Sequence, residues 1–238
     1  MTATVIHLVR HGQASWGKRE YDNLSPLGMR QGAILGEAMT ARGVRPDLLV
    51  TGSMRRHEQT AQAAAVAAGW TLEATPDPGF AEFDHMGVIA AHKPAYRSMV
   101  LMKADLARTF HPRVAFHDMF LSAMDRWTRG EHPGDYIESF EAFCARVDGA
   151  LERLTTAVPD GGTAVVVTSA GVISRICARL LSGPTDTWIA VNKVLVNTGV
   201  TTLELADHGL GDGHGLRLVT LNDHAHLSEG HAELVTRR

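Results

Sequence analysis

Two runs of apolar, β-branched residues limit what this chain can fold into: TVIHLV at Thr4–Val9 and TAVVVT at Thr163–Thr168. Each is nearly continuous rather than alternating, the pattern of a strand covered on both faces. Strand-like and helix-like segments alternate after the first run. Ser25 stands as an N-cap with Pro26 at the first helical position. Leu27, Ile34, Leu35 and Met39 then share a face, and Gly43 closes the helix. PDLLVTG gives a short strand ending at Thr51, MRRHEQTAQAAAVAAGW an alanine-rich helix ending near Gly69, and TLEATP another short strand. This order predicts an α/β fold: a three-layer sandwich whose mostly parallel central sheet carries helices on both faces.

The middle of the chain changes character. From about 87 to 134, helix-like pieces rich in Met and aromatic residues follow one another with irregular joints. They are read as a helical insertion over the active-site edge of the sheet, within one domain spanning 1–238, and the Met stripe is read as core packing. SFEAFCARVDGALERLTTAV is amphipathic, with Phe140, Phe143, Val147, Leu151 and Leu154 on one side. Two late strands flank the polar turn HGLGDGHG at 208–215. With 45% hydrophobic and 21% charged residues over 238 positions, a substantial core is expected and general disorder is not. A net charge of −3 with no basic block argues against nucleic acid as the main partner. No run reaches membrane-spanning length, and no basic n-region precedes the first strand, so a soluble, cytoplasmic chain is expected. Cys144 and Cys177 lie in helix-like apolar stretches and are expected as buried thiols, not as a disulfide or metal site.

In a parallel α/β sheet, ligands bind beyond the carboxyl ends of the strands. Three polar groups fall there: Arg10-His11-Gly12 after the first strand, Arg55-Arg56 after the second, and Ser169-Ala170-Gly171 after the later buried one. Arginine grips a phosphoryl group through a rigid fork of donors. Glycine after His11 would let backbone approach a ligand closely. A free imidazole titrates near about 6.5, so it has a neutral, nucleophilic form at neutral pH. It can take a phosphoryl group and pass it to water in a second step.

LVRHGQAS resembles the opening signature of the histidine phosphatase superfamily, which includes cofactor-dependent phosphoglycerate mutases and many acid phosphatases. NLSPLGMRQGAILGEAM, TGSMRRHEQTA, FAEFDHMG and LNDHAHL are similar to later family segments, in the family's order, from Val5 to Leu227. The resemblance implies that His11 becomes phosphorylated and that Arg10 binds the phosphoryl group. Alignment on Gln59-Thr60-Ala61 gives the second pocket arginine as Arg56, with Arg55 the choice if the register slips. The resemblance also makes Glu82 the candidate general acid, with Asp84 as alternative. It implies a metal-independent phosphomonoester hydrolase without a cofactor, acting on a small phosphorylated substrate.

The family carries a second histidine after its late strand, and here VVTSAGVISR puts Ser169 at that position. Serine can donate one hydrogen bond but brings no positive charge. His85 is the nearest candidate to replace the imidazole. A catalytically degenerate member that binds a phospholigand or a protein is therefore the competing reading, and a mutase the less favoured one. Ser169 also suits a plain helix N-cap. Gln13 and Ser15 are candidate substrate contacts, and Gln31 is expected on a helix surface. His224 and His226 have strand-like spacing but no third ligand beside them. Arg175 and Arg179 are expected to face solvent, and the two apolar insertion helices are candidates for a homodimer contact.

Overall fold

The computed structural model describes residues 3–15, 22–205, 215–228 and 232–237. In chain order the elements are β1 (Thr4–Arg10), α1 (Pro26–Ala41), β2 (Leu48–Thr51), α2 (Arg55–Ala68), β3 (Thr75–Pro76), α3 (His85–His92), α4 (Met99–Ala107), α5 (Pro112–Thr128), α6 (Phe140–Ala157), β4 (Thr163–Thr168), α7 (Ala170–Leu180), α8 (Thr185–Val194), β5 (Val200–Leu205) and β6 (Leu216–Asp223). Most of the glycine-rich turn expected at 208–215 lies outside the described residues.

The six strands form one mixed sheet in the order β3-β2-β4-β1-β5-β6. The β1–β4, β4–β2 and β2–β3 pairs are parallel, whereas β5 and β6 join antiparallel at the other side. The two apolar runs are central neighbours, with Val9 opposite Val167 and Arg10 opposite Thr168. TLEATP contributes only two paired residues. Pro76 has no N–H to give, which suits a short edge strand and nothing longer.

Ser25 caps α1 through a hydrogen bond from the Gly28 N–H at 3.0 Å, with Pro26 in the first turn. The chain leaves α1 and α2 through the left-handed residues Gly43 and Gly69. Val9, Leu49, Val165, Val167 and Val200 form a core with Leu35 and Met39 of α1 and Ala61 and Ala64 of α2. Ile6, Leu8 and Val166, of the opposite parity, are fully buried as well. Both β1-α1-β2 and β2-α2-β3 step the same way along the sheet, while the return to β4 through α6 steps back. Right-handed crossovers then put α6 on the opposite face from α1 and α2, completing the three layers.

Residues 1–82 with 147–238 form one compact unit and Phe83–Arg146 another. The second unit is wider than the 87–134 insertion read from the sequence. Its buried Ile89, Tyr96 and Met102 pack with the partly buried Met86, Leu106, Phe116, Met119 and Phe120, so three of the methionines there serve packing. Phe83, Trp127, Phe140 and Phe143 stack into a second aromatic group. Cys144 and Cys177 are buried free thiols. No described helix is long and apolar enough to cross a membrane.

Helices α1 and α2 touch through small residues. A Cβ on Gly32 would stand 2.9 Å from the Ala63 Cβ, and one on Gly36 only 2.1 Å from the Ala64 carbonyl oxygen. Backbone cannot yield as a side-chain tip can, so Gly36→Ala should destabilise the fold by about 1–3 kcal/mol despite its better helix propensity. Gly149 of α6 meets only the Arg153 guanidinium at 3.6 Å. Gly149→Ala should therefore stabilise by about 0.5–1 kcal/mol. Urea denaturation of the two variants should move the midpoint in opposite directions.

Candidate active site

Where β1 ends, the chain turns His11 under the carboxyl edge of the sheet. The His11 N–H donates to the Thr168 carbonyl at 2.8 Å, extending the β1–β4 pairing by one step. The His11 carbonyl accepts from Asn197 Nδ2 at 2.9 Å. The ring is 7% exposed. Its Nδ1 lies 2.7 Å from the Gly12 carbonyl, an acceptor only, so Nδ1 carries the proton and Nε2 keeps its lone pair. Facing Nε2, at 3.2 Å, is Arg56 Nε.

Arg56 stands in the first turn of α2, 6% exposed, and its other edge bonds Asp22 Oδ1 at 2.8 Å. Asp22 is 43% exposed, so this pair orients the guanidinium more than it stabilises the fold. Arg55, one position earlier, is exposed, and its backbone N–H is bound by Asp22 Oδ2. The arginine beside His11 is thus Arg56. Arg10, 8% exposed, donates to the Leu195 carbonyl at 2.5 Å and the Arg237 carbonyl at 3.4 Å.

Ser169 stands at the N-cap position just before α7 and is fully buried, but its hydroxyl makes no capping bond. It pairs instead with His57 Nε2 at 2.7 Å. The N–H of Gly171 is taken by Glu82 Oε2 at 3.1 Å. Glu82 is carried there because Thr168 donates to the Phe80 carbonyl at 2.6 Å, holding the 78–82 segment at the end of β4. Asp84, the alternative acid, caps α3 through the Gly87 N–H at 2.9 Å. His85 opens α3, in the second unit. The imidazole bonded to Ser169 is His57.

Other expectations shift for physical reasons. Gly12 is glycine because a Cβ there would stand 2.5 Å from the Gly28 carbonyl of α1, and its N–H donates to Thr60 Oγ1 at 3.0 Å. The Ser15 hydroxyl donates to the Leu24 carbonyl at 3.0 Å, and the Gln13 carboxamide accepts from Ser25 at 2.8 Å. Gln31 is fully buried, not on a helix surface: it accepts from the Gln13 N–H and donates to the Leu234 carbonyl and Thr236. Arg175 and Arg179 do not simply face solvent, since both reach Asp148 of α6. His226 meets the Thr198 hydroxyl at 3.1 Å and His224 the Asn222 carbonyl at 2.7 Å. Among the described residues no three His, Cys, Asp or Glu side chains group as a metal site.

Sequence reasoning missed His57 and Asn197. His57 lies on one helical stripe with Ala61 and Ala64, all buried, and an ionisable residue on an apolar stripe was the available signal. Asn197 has no such signal. Its role comes from the β4–β5 crossover, where it also accepts from Thr236.

Charge is managed by keeping both imidazoles neutral. Burial, then Arg56, His57 and Arg10, hold His11 well below the usual imidazole value. Burial, then Arg56, push His57 down to about 3.

A family model described as the histidine phosphatase superfamily (branch 1) matches residues 6–98 and 107–222. No curated protein matches the chain. Among solved structures, a phosphoglycerate mutase from Bacillus anthracis is similar at 16% identity and a TM-score of 0.65, covering 96% of this chain and 97% of that one. A mycobacterial glucosyl-3-phosphoglycerate phosphatase is 22% identical with a TM-score of 0.62, over 92% of this chain and 99% of that one. A phosphoserine phosphatase mutant from Entamoeba histolytica, in complex with phosphoserine, is 21% identical with a TM-score of 0.63, over 94% and 99%. At these identities the likeness is one of fold.

Between 6.5, its value in the unfolded chain, and about 3, His57 takes up a proton only in the unfolded chain. The His57 contribution to folding stability is therefore complete above 6.5 and is lost on acidification. Between pH 7.5 and pH 5 the loss from this residue should be about 2 kcal/mol, whatever the folded value below about 4. His57→Gln, uncharged throughout, should show a correspondingly smaller fall in Tm across that span. Parallel melting curves for the two proteins would count against a neutral buried His57.

Proposed function

The chain belongs to the histidine phosphatase superfamily (branch 1), and from that premise we propose that it is a phosphatase that hydrolyses a small phosphomonoester through a phosphohistidine at His11, without a metal or cofactor. The observation that carries the reading is the neutral His11 ring, its Nδ1–H tied to the Gly12 carbonyl and its Nε2 lone pair facing Arg56. Such a nitrogen is a nucleophile without prior loss of a proton.

In the first step the Nε2–P bond forms as the P–O bond to the alcohol breaks. The leaving oxygen takes a proton from Glu82, whose Oε2 rests on the Gly171 N–H. Arg56 moves its Nε contact from the ring nitrogen to a phosphoryl oxygen, and Arg10 adds its charge. In the second step water attacks phosphorus, gives its proton to Glu82, and the P–N bond breaks to release phosphate. The Gly12 carbonyl stabilises the imidazolium character that phosphorylation gives the ring. The fold-sharing phosphatases, one in complex with phosphoserine, support the phosphatase class. A cytoplasmic setting fits this reading. Ligand binding without turnover is the competing one, favoured by a serine, Ser169, standing where the family carries its second histidine.

With p-nitrophenyl phosphate, His11→Ala should abolish turnover, and Arg56→Ala should lower kcat/KM on the order of 10²–10³. Quenching with base should trap an acid-labile phosphoryl label on the protein, absent from His11→Ala. Turnover surviving in His11→Ala, or a label still present there, removes the phosphohistidine. Phosphate-dependent thermal stabilisation without any turnover supports binding alone.

A further inference from the structure

His57 is an expensive residue to bury. It is fully inaccessible, neutral, and one of its nitrogens is poorly served: Nδ1 lies against the Gly52 backbone without a well-formed hydrogen bond. A buried polar nitrogen in that state is costly. An alanine would continue the stripe of Ala61 and Ala64, so packing gives no reason for an imidazole. Its surroundings give one. The ring lies 5.5 Å from the His11 ring, centroid to centroid, tilted by 37°. Its Nε2 is 2.7 Å from the Ser169 hydroxyl. Ser169 follows Thr168, which is opposite Arg10 and accepts the His11 N–H. Ser169 and His11 are thus the first residues beyond two adjacent parallel strands.

We infer that His57 and Ser169 act as one unit: when a phosphoryl oxygen is held at His11, His57 carries its proton on Nε2 and donates to Ser169 Oγ, turning the serine O–H toward that oxygen, so that α2 supplies the imidazole that the end of β4 lacks. Ser169 is the group that touches substrate, and His57 is a positioning residue. This rests on the phosphohistidine reading above. It adds where the second donor comes from, and it makes that donor neutral. A bare serine rotor has three staggered positions, and a buried donor behind it fixes one. No proton leaves the pair during the reaction. The hydrogen bond from Ser169 strengthens as charge builds on the phosphoryl oxygens, which is where a preorganised donor raises the rate.

The pairing also predicts that neither residue can be changed alone to good effect. Ser169→His would thrust a second ring into the space that His57 fills, since Ser169 is fully buried against it.

The test is a double-mutant cycle on the full chain, with p-nitrophenyl phosphate as substrate, orthovanadate as a five-coordinate phosphoryl mimic, and His11→Ala as reference. His57→Ala and Ser169→Ala should each lower kcat about 10–100-fold with KM little changed. The double variant should be no worse than either single one, because residues acting as a unit are not additive. His57→Gln, whose amide can donate to the serine, should recover much of the loss. Ser169→His with His57→Ala should recover more than Ser169→His alone. Orthovanadate should bind the two alanine variants more weakly than the unaltered protein, which reads the site even where turnover is slow. Should His57→Ala fail to fold, Ser169→Ala and His57→Gln carry the comparison. Singles within threefold of the unaltered protein, or losses that multiply in the double variant, overturn the pairing. Turnover that survives His11→Ala overturns the phosphohistidine instead, so the two failures are distinguishable.

Discussion

The parallel pairing of β1 with β4 is the constraint on which the site depends. Side chains in a strand alternate between faces, so a slip of one residue would turn every member of the site to the other side. In the observed register Val9 meets Val167 and Arg10 meets Thr168. His11 and Ser169 therefore leave the sheet side by side. The pairing bond from the His11 N–H to the Thr168 carbonyl carries this register one residue beyond the strand, into the loop that does the chemistry. The apolar cores of both strands enforce it, since Val9, Val165 and Val167 must all face α1 and α2. The same valines that make the centre of the sheet thus fix the spacing of the reactive groups.

Electrostatics then decide which form of each ring is present. The chain has a slight net negative charge, yet two guanidinium groups are buried beside two buried imidazoles. Adding a proton to either ring would place a third positive charge in a poorly solvated space. Both rings stay neutral for that reason, burial first and Arg56 next. Neutrality has different uses in the two. At His11 it leaves a lone pair on Nε2. At His57 it allows a fixed hydrogen bond without further positive charge. An entering dianion changes the balance, because it offsets both guanidinium charges at once.

Much of the fold was legible in the sequence because it rests on local chemistry. The Ser25 cap, Pro26 in the first turn, the left-handed Gly43 and Gly69, and the continuous apolar strands are each decided within a few residues. Arg10, His11 and Arg56 were legible because motif order places them at strand ends. What escaped depends on distant neighbours. Gln31 looks like a surface residue of α1 until the segment around Leu234 and Thr236 closes over it. The close approach that requires glycine at position 12 is made by Gly28 of α1, sixteen residues away. Ser169 reads as a helix cap from its position before α7, and only the approach of α2 reveals that its hydroxyl is engaged elsewhere. Arg175 and Arg179 read as solvent-facing until α6 brings Asp148 between them.

The position of α2 matters more than that of any other helix. Its first two turns carry Arg56, His57 and Thr60, which contact respectively the His11 ring, the Ser169 hydroxyl and the Gly12 N–H. Three side chains within five residues of one helix cannot be adjusted independently. A rotation of α2 that improved one contact would worsen the others, because successive residues are about 100° apart around the axis. Precision must come from what holds the helix. On its outer side that is α1, through contacts at Gly32 and Gly36 too close for any side chain. Contacts between backbones leave little freedom to slide, whereas long side chains would repack. The glycines of α1 and the reactive groups of α2 therefore belong to a single mechanical unit, and the tight packing between these helices is part of how the site is built.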